Sequence, residues 1–361
     1  MGACMKWDAL VIGAGPAGSV TARELARRGR RVLLVDKATF PRAKVCGCCL
    51  NGAAIETLER LGLGGVLAGG VPLDRVTIAA GSRSVDVRLK RGVAISRAIF
   101  DMRLIDAAVR EGVEFRPGIM NSSMSRETKQ SEIEANVVIV ASGLTGGDAT
   151  PKVGSRIGGG VVLAAKDSPT FYSPGSIYMA TGRSGYVGLV RVEDERLDIA
   201  AAFDPAFVKS SGGLGLAAES ILRAVGWPVP LALSGAPWKG TPALTRRSTT
   251  LAGHRSFVVG DAAGYVEPFT GEGMAWALMS AEALAPLAAQ DWHPGLIRKW
   301  ESTHRRVIGK RQRVCRVVSQ VLRSPMLTSL AVRALGVMPQ LANPVVAAIN
   351  RPSPLPNVVP T

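Results

Sequence analysis

Gly13, Gly15 and Gly18 lie in the run Ala9-Leu10-Val11-Ile12-Gly13-Ala14-Gly15-Pro16-Ala17-Gly18, a spacing that can seat a pyrophosphate. In that chemistry Gly13 permits a tight turn, Gly15 lets backbone approach the phosphates, and Gly18 lets a helix pack closely on its strand. A helix opening at Pro16 turns unpaired N–H groups and partial positive charge toward the anion, with Ala17 in its first turn. Asp36 stands 21 residues beyond Gly15, where an acid can accept hydrogen bonds from an adenosine ribose. Two later segments repeat the strand-then-glycine pattern. One is Val137-Val138-Ile139-Val140-Ala141-Ser142-Gly143. The other is Phe257-Val258-Val259-Gly260-Asp261-Ala262-Ala263-Gly264, followed by Glu267-Pro268-Phe269-Thr270-Gly271-Glu272-Gly273. Together the three describe the socket of one dinucleotide.

The elements that must hold these residues follow from hydrophobic periodicity. Residues 8–12 and 32–35 read as buried strands, with a helix from Pro16 to Arg28 between them. Residues 52–61, 98–111, 215–225 and 274–288 read as helices, 137–141 and Phe257–Gly260 as further buried strands, and 157–205 as strand-rich. The nucleotide domain is thus expected in pieces, at 1–72, 97–155 and 252–300. A β-rich substrate domain at 73–96 and 156–251 interrupts it, and a helical basic region occupies 301–361.

Composition narrows the function classes. The chain has 361 residues, enough for two domains with ample cores, and 47% of them are hydrophobic. No apolar run reaches the roughly 18 residues of a spanning helix, and a strand beginning at Asp8 leaves no room for a secretory signal, so a cytoplasmic protein is expected. Five cysteines argue against a disulfide framework. Cys46, Cys48 and Cys49 cluster, but no histidine is spaced near them as a ligand pair, so no metal is expected.

The net charge of +16 is concentrated between Arg298 and Arg333, where ten basic residues face one acid, Glu301. Aliphatic residues interleave with them at helix-like spacing. That pattern fits either peripheral association with an anionic membrane surface, such as the inner membrane, or a solvated helix face. Aromatic residues make up 5% of the chain and no recognition module appears, so nucleic acid is not an expected partner.

At this point the chain resembles the FAD-dependent para-hydroxybenzoate-hydroxylase superfamily, in its geranylgeranyl-reductase-like branch. Besides the first fingerprint, the resemblance rests on Phe40-Pro41-Arg42-Ala43-Lys44-Val45-Cys46-Gly47, on Ser96-Arg97 leading into Phe100-Asp101, and on the Gly260-Asp261 segment with its Gly271-Glu272-Gly273-Met274 continuation. It implies an α/β fold: a Rossmann-like FAD-binding domain of glutathione-reductase type 2, an inserted β-sheet substrate domain over the isoalloxazine, and a helical C-terminal tail. It also implies FAD contacts from Gly13, Gly15, Pro16, Ala17, Gly18, Asp36, Lys37, Arg42, Cys46, Gly47, Arg97, Ala141, Gly143, Gly260, Asp261, Pro268, Gly271, Glu272, Gly273 and Met274. Arg97 is matched to an arginine that approaches the phosphates, with a surface arginine as its alternative. Asp261 suits the ribityl hydroxyls, and it can equally cap a helix beginning near Ala262. Ala141-Ser142-Gly143 stands where many hydroxylases carry Asp-Gly, a departure from a hydroxylase-style nicotinamide site.

Cys46 is the candidate catalytic residue. A thiol of ordinary pKa, about 8.5, could protonate a carbanion formed on hydride addition, or the side chain could simply pack the loop. Lys44 could steer phosphate or a substrate anion. Tyr178, Tyr186, Trp227 and Trp238 would give an apolar lining if they face inward, although most large aromatics are core. The expected activity is oxidation or reduction of a hydrophobic small molecule (polyketide-, aromatic- or isoprenoid-like), by a monooxygenase using reduced flavin and O2. The runner-up is an ene-reductase saturating C=C bonds of an isoprenoid-like lipid, and a remote third is a flavin-binding protein without chemistry. With one dinucleotide fingerprint, NAD(P)H must bind transiently or an external reductase must supply electrons.

Overall fold

A computed structural model describes residues 6–119, 133–146, 148–267, 269 and 271–351. In chain order, β1 (Trp7–Ile12), α1 (Pro16–Ala26) and β2 (Val32–Asp36) are followed by β3 (Cys49–Asn51) and α2 (Gly52–Arg60). A hairpin of β4 (Val71–Ala80) and β5 (Arg83–Ala94) leads to α3 (Arg97–Arg110), β6 (Glu114–Pro117) and β7 (Ala135–Val140). Next come β8 (Thr150–Pro151), β9 (Ile157–Leu163), β10 (Ser176–Gly182), β11 (Gly185–Arg191), β12 (Leu197–Phe203), α4 (Pro205–Ser211), α5 (Leu214–Ala224) and β13 (Lys239–Ala243). The chain closes with β14 (Arg246–Arg247), β15 (Ala252–Gly253), β16 (Ser256–Val258), α6 (Gly273–Ala288), α7 (Gly295–Val307), α8 (Gly309–Val321), α9 (Pro325–Val337) and α10 (Asn343–Asn350).

Two sheets carry the architecture. The first has order β15-β16-β7-β1-β2-β6, and β1 pairs in parallel with both β2 and β7. Its central strands are apolar runs because α1 and α6 cover one face, and Val11, Val32, Leu34 and Ile139 are fully buried there. The second has order β13-β9-β12-β11-β10-β4-β5-β3 and is largely antiparallel, with one parallel pair, β10 on β4. This is the α/β fold with a β-sheet layer and helical tail read from the sequence.

The tail departs from the single amphipathic helix its pattern suggests. It breaks at Ile308–Gly309 and again at Leu322–Ser324, giving α7, α8 and α9. The chain then folds back, and the segment after α9 buries Ala342 and Val346 against Val87 of β5. Part of the basic stripe turns inward. Arg311 is buried, and Arg323 pairs with the buried Glu267 at 3.3 Å. Arg305, Arg306, Lys310, Arg313 and Arg316 remain exposed.

Candidate functional site

The turn after β1 shows why its glycines are required. Gly13 has φ +106°, and a Cβ there would collide with the Ala141 carbonyl. A Cβ on Gly18 would collide with the Gly13 carbonyl, so α1 crosses β1 in close contact. Gly15 is different. A Cβ there would meet only Arg97 Nη2, at 3.8 Å, so this backbone faces open space. Asp36 ends β2 and braces the turn, accepting hydrogen bonds from Ala14 N–H at 2.8 Å and Ala38 N–H at 2.9 Å. Arg42 approaches the same carboxylate at 3.3 Å.

That open space belongs to a cavity of about 1080 Å³ that includes Gly13, Gly15 and Asp36 in its lining. Arg42, Lys44, Cys46, Arg97 and Asp261 line it as well, as do Val318, Val332 and Val346 of the tail. Of the cofactor residues read from the sequence, Pro16, Ala17, Lys37, Gly47, Ala141, Gly143, Gly271, Gly273 and Met274 also line it. Gly18 and Gly260 sit behind the lining, where a Cβ on Gly260 would lie 2.8 Å from that of Ala17. Pro268 lies outside the described residues.

The polar groups of the cavity suit a phosphate-bearing, polyhydroxylated ligand. Arg42, Lys44 and Arg97 supply cations, while Arg42 Nε and Ser142 Oγ are buried without a hydrogen-bond partner among the described residues. Such orphaned groups call for a ligand or water. Burial, and then Arg97, lower the pKa of Lys44, whose ammonium would lie 3.2 Å from a Cβ on Gly143. Burial raises the pKa of Asp261, with Lys44 and Arg97 opposing it. Asp261 sits inside the short 3-10 turn Gly260–Ala263, whose N-cap position is Val259. An FAD fits this donor set. The arginines and Lys44 would hold its phosphates, with the remaining capacity of Asp36 and Asp261 facing its sugar and ribityl hydroxyls.

Glu272 turns away from the cavity. It is 1% exposed, and its carboxylate pairs with Arg311 at 2.9 Å and accepts from Cys315 Sγ at 3.1 Å. Burial raises its pKa, against the pull of Arg311. The loop Gly271–Gly273 is therefore anchored to α8, a partnership that no local pattern announces.

The cysteine loop forms a chain of contacts between the two sheets. Arg97 is buried and doubly bonded to Asp101, Nε to Oδ1 and Nη2 to Oδ2, each at 2.7 Å. Its guanidinium also donates to Cys46. The Cys46 sulfur accepts from the Cys48 thiol and from Cys48 N–H. The Cys48 thiol lies against the carboxyl of Asp198 on β12, while the Arg97 backbone N–H, at the start of α3, donates to its sulfur. Hydrogen bonding from Cys48, helped by Arg97 and opposed by burial, holds the Cys46 pKa at about 6, well below the ordinary thiol assumed from sequence. Donation to Cys46, and then burial, push Cys48 well up. Burial, and then the charge on Cys46, push Asp198 well above the carboxylate range. Asp198 was missed in the sequence because a lone acid in Leu197-Asp198-Ile199-Ala200 reads as the outward side of a strand.

The aromatic residues divide. Tyr186 lines the cavity and packs edge-on to Phe269 at 5.1 Å. Tyr178 and Trp227 instead join Phe171 and Tyr172 in a cluster on the other face of the second sheet, and Trp238 packs beside it. An inward lining by Tyr178, Trp227 and Trp238 is thus corrected to core. Residues of the β-rich layer and the Cys46 loop line the cavity, and the tail adds a further wall.

A family model described as an FAD binding domain matches residues 6–146. "Conditioned medium factor receptor 1" of Dictyostelium discoideum is 27% identical over 327 residues, covering 78% of this chain and 63% of that protein. A menaquinone reductase of Mycobacterium tuberculosis is 56% identical over 61 residues, 17% of this chain and 15% of that protein. The chain therefore aligns with less than two thirds of the length of either. Digeranylgeranylglycerophospholipid reductase 1 of Methanothermobacter thermautotrophicus is 28% identical over 351 residues, 86% of this chain and 82% of that one. Among solved structures, a flavin-dependent brominase superposes with a TM-score of 0.74 at 16% identity, covering 96% and 94% of the two chains.

Proposed function

Because the chain belongs to the para-hydroxybenzoate-hydroxylase superfamily of FAD-dependent oxidoreductases, we propose that it reduces carbon–carbon double bonds in a long, apolar, isoprenoid-like lipid. The observation that carries this reading is the cavity. Its lining joins the cationic glycine turn to an apolar compartment walled by Val318, Val332 and Val346. A ligand reaching from the flavin toward the tail would lie against aliphatic side chains, burying apolar surface at about 25 cal/mol per Å². The relatives named as digeranylgeranylglycerophospholipid and menaquinone reductases support the same substrate class.

FAD supplies the two-electron chemistry when bound, with NAD(P)H as transient donor or an external reductase in its place. The chain's own groups orient and move protons. Arg97, fixed by Asp101, holds the Cys46 sulfur at the cavity wall, and Cys48 is the thiol that keeps its proton. Proton delivery to a substrate carbon then runs through Cys46 Sγ, re-supplied from Cys48 Sγ and the carboxyl of Asp198, whose hold on a proton burial strengthens.

A second reading, monooxygenation with O2, draws on one observation: a Cys46 thiol held near pKa 6 spends most of its time as thiolate at neutral pH, a weak proton donor. The FAD-loaded full chain, reduced anaerobically and given an isoprenoid quinone or a geranylgeranyl lipid, distinguishes the two. Product gaining two hydrogens per double bond without O2 is expected. Products that form only in air, with one oxygen added and O2 consumed in step, overturn the reductase reading.

We further propose that the lipid enters from an anionic membrane surface docked on the tail. Outside the cavity, α9 and the residue after it expose Met326 (76%), Leu330 (59%), Val337 (76%) and Met338 (53%). The exposed arginines of α7 and α8 lie earlier in the same tail. Apolar residues with nearby cations match a bilayer with acidic headgroups. Among the described residues no helix is long and apolar enough to cross a membrane.

A further inference from the structure

The Cys46–Gly47–Cys48 segment also holds a redox chemistry distinct from the proton delivery proposed for it above. We propose that Cys46 and Cys48 are an oxidation-sensitive pair, in which hydrogen peroxide oxidises Cys46 and Cys48 resolves the product into a Cys46–Cys48 disulfide.

The arrangement supplies what each step needs. Cys46 is the nucleophile. Its sulfur lines the cavity, half-buried, and accepts hydrogen bonds from Arg97 and from Cys48, all of which stabilise a thiolate. Attack on peroxide forms the Cys46 S–O bond and breaks the O–O bond, giving sulfenic acid and hydroxide. Cys48, already bonded to Cys46 through its thiol, then attacks that sulfur. The S–S bond forms, the S–O bond breaks, and the Cys48 proton leaves with the hydroxyl as water. Cys46 and Cys48 are oxidised by two electrons in all, and the peroxide is reduced to water and hydroxide.

Only Gly47 separates the two cysteines, and Cys48 takes the left-handed conformation, with φ +52°. Gly47 between them is exposed, and nothing lies within 4 Å of where its side chain would begin. Cys49 is less suited to resolve. It is held in β3 opposite Ala94, and unlike Cys48 its thiol makes no hydrogen bond to Cys46. The buried Cys315 donates to Glu272. A low-pKa sulfur with a second thiol at its side is the usual composition of a peroxide-sensitive site.

The test treats the FAD-loaded full chain with limiting hydrogen peroxide and maps thiols by peptide mass spectrometry. Expected is loss of two hydrogens from the peptide carrying Cys46 and Cys48, reversed by dithiothreitol, with Cys49 still reduced. In Cys48→Ser, dimedone should trap sulfenic acid at Cys46, and in Cys46→Ser the segment should resist oxidation. Because thiolate is the reactive form, the wild-type rate should be about 10-fold higher at pH 7 than at pH 5. A disulfide mapped to Cys49 or Cys315, an undiminished oxidation rate in Cys46→Ser, or a rate that rises only above pH 8 overturns the proposal. These readouts do not depend on substrate turnover.

Discussion

Two neighbouring rows of the second sheet run through the same strands and have opposite fates. In one, Gly160, Ala200, Gly188 and Met179 sit in register across β9, β12, β11 and β10. In the next, Val161, Ile199, Leu189 and Tyr178 occupy the same strands one position along. The alternation of side chains places these rows on opposite faces. The larger residues join Tyr172, Phe203 and Trp227 in a packed core, while Ala200, Gly188 and Met179 line the cavity. Room for a ligand here is made by withholding side-chain volume from one face, and the aromatic mass goes to the other.

The comparison breaks most visibly on the packed face. Tyr172 is fully buried, and its hydroxyl donates to the Pro228 carbonyl at 2.6 Å. Tyr172→Ala should cost about 3–5 kcal/mol of stability, read from urea unfolding, as for other large buried aromatics. A loss below about 1 kcal/mol would mean that this face is no core.

On the cavity face a change in the opposite direction should separate stability from function. Ala200 lines the cavity between Gly188 and Gly160, so an added ring would enter the ligand space beside Val45 and Met179. Ala200→Phe should change stability by less than about 1.5 kcal/mol and keep the flavin spectrum. Substrate turnover should fall about 10–100-fold, since even small misplacement at a reacting centre is that costly. Unchanged turnover, or loss of FAD, would detach the row from the substrate compartment.

The smallest effect sharpens the same contrast in the tail, whose helices line the cavity on one side and expose apolar groups on the other. Arg313→Ala should weaken flotation with anionic vesicles by about 1 kcal/mol, and binding of the wild-type chain should fall as salt rises. Equal binding to neutral and anionic vesicles would remove the docking surface and leave the cavity untouched.

The parts legible in the sequence are those whose physics is local. The turn at Gly13 has positive φ, β1 and β2 carry the apolar runs 9–12 and 32–35, and Asp36 is fixed by its distance from the turn, so each is declared by short-range pattern. Partners brought together from afar leave no such trace. Asp198 meets Cys48 across 150 residues of chain, and Arg311 finds Glu272 from the next-but-one helix. The amphipathic tail pattern correctly predicts helix, but periodicity says only that an apolar stripe must be covered, never which surface covers it. For the aromatics the ambiguity was one of facing. A strand's alternation gives two sides, and only the packing of α5 and Trp227 against one of them decides which is interior.

Glu272 has a consequence for how the molecule responds as a whole. It belongs to the glycine loop beside the cavity and, through Arg311 and Cys315, to α8. A ligand that orders the loop must therefore also favour the docked tail. Any contact that holds the tail down must raise that ligand's affinity by the same factor, because coupling free energy is reciprocal. Filling the site and holding the tail in place would then be two readings of one coupling free energy.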